Sequence, residues 1–126
     1  VYSPAETERM LALAERHDLL VITDDVYKDF LYTDEIPGNP AKFADHRRRV
    51  VRICSFSKAY GMTGWRVGFL HTDRRRADAI LAVHDALVTC APVASQYGAI
   101  AALQQGDDFL QMFRAEFRHR RARVIE

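Results

Sequence analysis

Cysteine is scarce in this sequence, which has only Cys54 and Cys90 among its 126 residues. Two isolated cysteines provide neither a disulfide framework nor the ligands of a zinc site, and they are typical of a reducing compartment. We therefore expect two small core residues and no bound metal. Long hydrophobic runs are missing too, because no stretch approaches the roughly 18 apolar residues that span a bilayer.

An excess of either charge is also missing. Eighteen Lys and Arg residues face 17 Asp and Glu residues, which leaves a formal charge of +1. This balance indicates neither a nucleic-acid partner nor an anionic membrane surface. The first residues also lack the charged, hydrophobic and small-residue order of a secretory leader. The sequence therefore predicts a cytoplasmic protein that binds neither nucleic acid nor membrane.

The composition that is present, 48% hydrophobic and 28% charged, is ordinary for a globular protein. The length fits one domain. The chain opens on "VYSPAE" without an initiator methionine, and its last helical pattern has no stop signal. We therefore expect a fragment of a longer chain.

A helix is predicted close to the N-terminus. Ser3, Pro4 and Glu6 occupy the N-cap, first and third positions of a capping box. Residues at helical spacing after this box are expected to form its buried face. These residues are Met10, Leu13, Ala14 and His17.

Three continuous apolar runs follow the helix, namely "LLVIT" at 19–23, "VVRIC" at 50–54 and "RVGFLH" at 66–71. Runs without alternation are typical of strands that are buried on both faces, as in a parallel sheet. The glycine and prolines of 33–49 predict a surface loop between the first two runs. The order of helix and strands predicts an α/β fold.

Beyond residue 72 the apolar period becomes helical. Pro92 ends the first helix, a second spans about 94–105 with Gly106 at its C-cap, and Asp107 can cap a third. The apolar face of the first helix is Ala77, Ile80, Leu81, His84, Leu87 and Val88. That of the third is Phe109, Met112, Phe113 and Phe117.

Two polar clusters, "DDVY" and "SFSK", follow the first two strands, and ligands of open α/β sheets bind at such carboxyl ends. Lys58 follows a buried strand, where an amine that loses hydration can attack a carbonyl carbon and form a Schiff base. Arg66, Ser55 and Ser57 offer a guanidinium and two hydroxyls that suit a phosphate. An amine beside a phosphate cradle indicates a phosphorylated aldehyde.

The first cluster adds two groups that suit an aromatic ring. Asp24 can pair with a protonated ring nitrogen, and Tyr27 can hydrogen-bond a ring oxygen. Pyridoxal phosphate has all four matching features, which are an aldehyde, a phosphate, a pyridine nitrogen and a ring oxygen. The sequence therefore predicts a site for this cofactor.

On the basis of these residues, the chain resembles the class I/II aminotransferases, which are fold-type I pyridoxal-phosphate enzymes. The resemblance is carried by "DDVY" and "SFSKAYGMTGWRVG" and extends over essentially all 126 residues. It implies an α/β fold in which helices pack on a mostly parallel sheet. It also implies that 1–126 is part of the cofactor-binding large domain, and that a helix at about 107–126 leads toward a C-terminal small domain.

The resemblance implies a role for each candidate residue. Lys58 matches the lysine that forms the Schiff base with the cofactor and then shuttles the substrate proton. Asp24 matches the aspartate at the pyridine nitrogen, and Tyr27 matches the tyrosine at the ring oxygen. The residues implied at the phosphate are Ser55, Ser57 and Arg66.

The implied function is transfer of an amino group from an amino acid to a 2-oxo acid, by a homodimer. The 126 residues alone are expected to be inactive, because the family's upstream phosphate loop, ring-stacking aromatic and substrate-carboxylate arginine are missing from them.

Several alternatives remain open at this point. Asp25 can be a turn cap, and Tyr27 can pack under the sheet. The spacing of Ser55 and Lys58 also spells the SxxK motif of acyl-enzyme hydrolases, although its partner motifs are absent from the sequence. Finally, aminotransferase-like domains also serve as non-catalytic ligand sensors in certain transcription regulators.

Overall fold

The computed structural model describes residues 2–43 and 45–125, and its contacts divide the chain into two units. The first unit comprises the residues up to Asp25, Thr33–Cys54 and Phe69–Thr89. The second comprises Val26–Tyr32, Ser55–Gly68 and the residues from Cys90 onward. Because Ser55–Gly68 contains Lys58, we call it the lysine segment.

The elements follow the predicted order, and the α/β class is confirmed. The helices are α1 (Pro4–Arg16), α2 (Arg74–Leu87), α3 (Val93–Gln105) and α4 (Asp107–Ile125). The strands are β1 (Val21–Asp24), β2 (Val50–Ser55) and β3 (Gly68–His71). Single turns of 3-10 helix occur at Pro40–Lys42, Arg47–Arg49 and Thr63–Trp65.

The predicted capping box at the start of α1 is confirmed. The Glu6 backbone N–H donates to Ser3 Oγ at 3.3 Å, and the Ser3 backbone N–H donates to Glu6 Oε2 at 2.8 Å. The Ser3 backbone N–H and, second, the Ser3 hydroxyl, which also donates to Glu6 Oε2 at 2.8 Å, hold the pKa of Glu6 below its usual range. The box therefore fixes where the helix begins.

The predicted buried face of α1 is wrong in three of its four residues, since Met10, Leu13 and His17 are exposed. The face that is buried is rotated around the helix and consists of Thr7, Leu11 and Ala14. Gly38, in the loop of 33–49, explains the rotation. A Cβ on Gly38 would lie 1.9 Å from Thr7 Oγ1, so this loop packs directly on the first turns of α1.

The sheet has the strand order β1-β2-β3. Strands β1 and β2 are parallel, with Val21 opposite Val50 and Asp24 opposite Ile53. Strand β3 runs antiparallel to β2. The Phe56 N–H, just after β2, donates to the carbonyl of Val67 (3.4 Å), and Thr72 Oγ1, just after β3, donates to the carbonyl of Val50 (2.8 Å). The sheet is therefore mixed.

Burial on both faces is confirmed only in part, because the outer strands do not have it. In the central strand β2, Val50, Val51 and Cys54 are buried. Ile22 of β1 is exposed, and so are all four residues of β3. A strand is buried on both faces only where other elements cover both faces of its sheet. The described residues do not give the outer strands such cover.

Helix α2 begins after Asp73, whose carboxylate accepts from the Arg76 backbone N–H at 3.2 Å. None of its residues is buried. Of the expected inward face, Ala77 and Ile80 are half-buried, and the other four residues are exposed. The Cys90 thiol that follows is exposed as well, which corrects the prediction that both cysteines are core residues.

Helices α3 and α4 meet at Gly106, which is the C-cap of α3 as predicted. A Cβ there would lie 2.3 Å from the carbonyl oxygen of Ala102, so the chain passes too closely for a side chain. Asp107 is the first residue of α4 and not its cap, and its carboxylate lies in the first turn, where the helix dipole favours negative charge. No helix within the described residues is long and apolar enough to cross a membrane.

The second unit has its own apolar cluster, formed by Phe56, Met62, Val67 and Ala99. Three of these four residues belong to the lysine segment. A second group of aromatic rings confirms most of the predicted face of α4, with centroid distances between 4.8 and 5.9 Å. It consists of Phe30, Phe109, Phe113 and Phe117. Phe109 stacks on Phe113 but is 41% exposed, and Met112, expected on the same face, is exposed as well.

Candidate functional site

The lysine segment leaves β2 through a turn that two buried residues anchor. Phe56 is 5% exposed and Ala59 is 1% exposed, and Lys58 lies between them. The carbonyl of Phe56 accepts from the backbone N–H groups of Tyr60 and Met62, at 3.3 and 3.4 Å. The backbone that carries Lys58 is therefore held on both sides.

Lys58 itself is half-buried, and its Nζ lies 6.0 Å from the centroid of the Tyr27 ring. That distance is at the limit for a cation–π contact. Tyr27 is 64% exposed, which excludes the alternative that it packs under the sheet. Within residues 2–43 and 45–125, Lys58 has no salt-bridge partner, whereas Lys28 pairs with Asp29. The structure thus brings together an unpaired amine and a phenol from the two predicted clusters.

The three predicted phosphate ligands are linked by backbone and side-chain hydrogen bonds. The Ser57 N–H donates to Ser55 Oγ at 3.1 Å. The carbonyl of Ser57 accepts from Thr63 Oγ1 at 2.9 Å, and the carbonyl of Thr63 accepts from Arg66 Nη1 at 2.8 Å. Thr63 was not singled out by the sequence analysis. The available signal was a hydroxyl residue within the motif, three positions before Arg66.

Arg66 has an unusual backbone, with φ 51° and ψ 49°, in the left-handed region. This conformation costs a residue with a side chain roughly 1–2 kcal/mol. Gly61, in the same segment, also has a positive φ of 63°, and there glycine avoids the cost. The segment thus has arginine at a position where glycine would adopt the same backbone conformation at a lower energetic cost.

Asp24 belongs to the first unit, where it ends β1 and has an exposed side chain. The next residue, Asp25, continues the ladder, because its N–H donates to the carbonyl of Ile53 at 2.9 Å. Its carboxylate forms a salt bridge with Arg52, and both side chains are 20% exposed. Asp25 is therefore the salt-bridge partner of Arg52, and this pairing accounts for the half-buried Asp25 carboxylate without a ligand.

Two further kinds of site, a metal centre and a surface pocket, were sought among the described residues. No group of three or more His, Cys, Asp or Glu side chains among them is arranged to hold a metal ion. A concave patch lies on α2. It is lined by Ala79, Ile80, Val83, His84 and Leu87, so its surface is apolar apart from one imidazole.

Comparison with known proteins gives one consistent result. The family described as "Aminotransferase class I and II" matches residues 1–126. YugH of Bacillus subtilis, which carries an aminotransferase name, is 33% identical over 126 residues, covering 100% of this chain and 32% of YugH. The aspartate aminotransferase of Thermotoga maritima is 31% identical, covering 100% of this chain and 32% of that protein.

Solved structures agree with the sequence matches. N-succinyldiaminopimelate aminotransferase from Mycobacterium tuberculosis superposes with a TM-score of 0.93 at 26% identity. The match covers 99% of this chain and 33% of that one. The chain therefore spans about a third of the length of the proteins it matches.

Proposed function

The chain belongs to the class I and II aminotransferases, and from this membership we propose that it contributes the cofactor-holding part of a pyridoxal-phosphate-dependent aminotransferase. Enzymes of this family in general use pyridoxal phosphate and act on amino acids and 2-oxo acids. We place residues 1–126 in the large domain, with about 107–126 leading toward a small domain. The proposed reaction moves an amino group from an amino acid to a 2-oxo acid.

One observation carries the proposal. The Lys58 amine lies 6.0 Å from the Tyr27 ring, on the segment that also holds Ser55, Ser57 and Arg66. The donors suit a phosphate, because Ser55 Oγ accepts from the Ser57 N–H and keeps its own hydroxyl hydrogen to donate. Arg66 uses one N–H on Thr63 and keeps four others. The residues present therefore fit the cofactor.

Each residue then has a defined task. Lys58 Nζ would hold the cofactor covalently through its aldehyde carbon. Ser55, Ser57 and Arg66 would bind the phosphate, and the Tyr27 hydroxyl would donate to the ring oxygen. Asp24 would keep the pyridine nitrogen protonated. When bound, the cofactor supplies an electron sink for the pair released at the substrate α-carbon.

Lys58 also has a second task in the proposal. Its amine would also be the group that takes the proton from the substrate α-carbon and gives it up again within the same site. Proton transfer by a positioned group is worth about 10²–10⁴-fold in rate. We therefore assign Lys58 as the catalytic residue.

The proposed enzyme is a homodimer that acts in amino acid biosynthesis. The names of the relatives support this biological role, since they include an aspartate and an N-succinyldiaminopimelate aminotransferase. Neither the acyl-enzyme hydrolase nor the regulator alternative gains an observation in its favour.

The test is to incubate the protein with pyridoxal phosphate, reduce with borohydride and map the modified residue by peptide mass spectrometry. The sequence has three lysines, which makes the readout simple. Lys28 and Lys42 are exposed and Lys58 is half-buried, so unspecific labelling would favour the first two. We expect a single adduct on Lys58.

Two variants complete the experiment. Lys42→Ala should label as the wild type does, and Lys58→Ala should lose the adduct. In the intact protein, Lys58→Ala should also lower amino-group turnover by at least about 10²-fold. Labelling confined to Lys28 and Lys42, or ordinary turnover by Lys58→Ala, would reject the proposal.

A further inference from the structure

We propose that Thr63 is a positioning residue that holds the phosphate-binding groups in register with Lys58. The inference rests on the proposed function. Its basis is the hydrogen-bonded chain that runs from Ser55 through Ser57 and Thr63 to Arg66. Thr63 is the one member of this chain that has no assigned contact with the cofactor.

The Thr63 hydroxyl acts on the peptide next to the lysine. Its hydrogen-bond acceptor is the Ser57 carbonyl, at 2.9 Å, and that carbonyl belongs to the peptide group whose nitrogen is Lys58 N. A peptide group is planar. Fixing the carbonyl of Ser57 therefore also fixes the direction in which the chain enters Lys58.

The Thr63 backbone acts on the guanidinium. Its carbonyl accepts from Arg66 Nη1 at 2.8 Å, and Arg66 lies three residues later in a left-handed conformation. A long exposed arginine side chain otherwise samples many rotamers, and ordering it lowers affinity for the phosphate. Thr63 therefore connects a pre-ordered guanidinium to the turn of Ser57.

This arrangement makes a specific prediction about ligands. Loss of the Thr63 hydroxyl should weaken binding of a phosphorylated aldehyde more than binding of the same aldehyde without phosphate. A purely structural residue would weaken both equally. The ratio of the two affinities therefore reports positioning and not stability.

The chain offers a matched control. Thr72 Oγ1 donates to the carbonyl of Val50 at 2.8 Å, which is the same kind of bond in the first unit. Thr72→Val removes an equivalent hydrogen bond and leaves the lysine segment untouched. Its effect on the affinity ratio should be nil.

The experiment measures dissociation constants for pyridoxal phosphate and for pyridoxal, by absorbance titration of the intact protein. We expect Thr63→Val to weaken binding of pyridoxal phosphate about fivefold and binding of pyridoxal less than about twofold. A change of this size corresponds to the loss of one hydrogen bond. Thr63→Ser, which restores a hydroxyl, should keep the wild-type ratio. Thr63→Ala serves as a second hydroxyl-free variant if Thr63→Val fails to fold.

The outcomes separate the two proposals. If the wild type binds pyridoxal phosphate at Lys58 and the hydroxyl-free variants keep its affinity ratio, the positioning role is wrong and the proposed function stands. An equal loss for both ligands likewise rejects the positioning role. If the wild type does not favour the phosphorylated ligand, the phosphate site itself is wrong and both proposals fail.

Discussion

The described part of the second unit buries five apolar side chains, four of them in the lysine segment, whereas helix α2 in the first unit buries none. Both regions contain several apolar residues. They differ in how far apart along the chain the packing residues lie. In the lysine segment, Phe56, Met62 and Val67 come from 12 consecutive residues.

This difference shows which residues hold the candidate site in a fixed geometry. The turn that carries Lys58 is anchored by residues that directly flank it, namely Phe56 and Ala59. Beyond these flanking residues, the turn packs on Ala99 of α3. The outer strands and α2 need other surfaces to cover them, so their burial cannot be read from local sequence.

The sharpest test of this comparison is a pair of truncations to alanine. Phe56→Ala should lower the free energy of unfolding of the 126-residue chain by about 3–5 kcal/mol, because it leaves a cavity in the cluster. Leu81→Ala should change it by less than about 0.5 kcal/mol, because Leu81 is 60% exposed. Urea unfolding measures both. Equal losses for the two variants would contradict the comparison.

A smaller effect is expected at Gly38, where the loop of 33–49 packs tightly on α1. Gly38→Ala would put a Cβ 1.9 Å from Thr7 Oγ1 and 2.7 Å from the carbonyl oxygen of Ser3, so we expect a loss of about 1–3 kcal/mol. Gly64→Ala is the matched control, since its Cβ would meet nothing within 4 Å. Thermal unfolding of both variants measures the difference. If Gly38→Ala is as stable as Gly64→Ala, the loop does not pack on α1.

The smallest effect concerns the start of α2, where capping replaces burial. The side chain of Arg76, followed by its backbone N–H, holds the pKa of Asp73 below its usual range. Because this pKa is lowered in the folded state, the charged carboxylate stabilises the fold above about pH 4. The stabilisation is lost as the pH falls through the folded-state pKa.

Asp73→Asn keeps an oxygen acceptor and removes the charge. We expect the variant to be slightly less stable than the wild type at pH 7 and the two to converge as the pH falls below about 4. Unfolding at a series of pH values checks this. A stability gap that stays constant down to pH 2 would show that the charge contributes nothing.

Local signals predicted most of the elements, and distant contacts account for the errors. The capping box at Ser3 and the glycine at Gly106 each depend on neighbours within four residues, and both were placed correctly. The buried face of α1 was misplaced because Thr7 packs against Gly38, which is 31 residues away. Helical period alone cannot choose between two adjacent faces.

The candidate site divides in the same way. The residue types at Lys58 and Arg66 follow from the motif, and so does their expected chemistry. The role of Thr63 depends on a turn that brings its hydroxyl to a carbonyl six residues earlier. The spacing of residues in the sequence does not reveal that turn, so the sequence analysis did not identify Thr63.

The left-handed backbone of Arg66 has a consequence for the way this position varies under selection. Glycine would relieve the backbone, and asparagine or aspartate would tolerate it better than arginine does. A library randomised at this codon and screened for heat resistance should therefore be enriched in those three residues. The same library screened for retention of pyridoxal phosphate should return arginine, so that one codon separates selection for folding from selection for function.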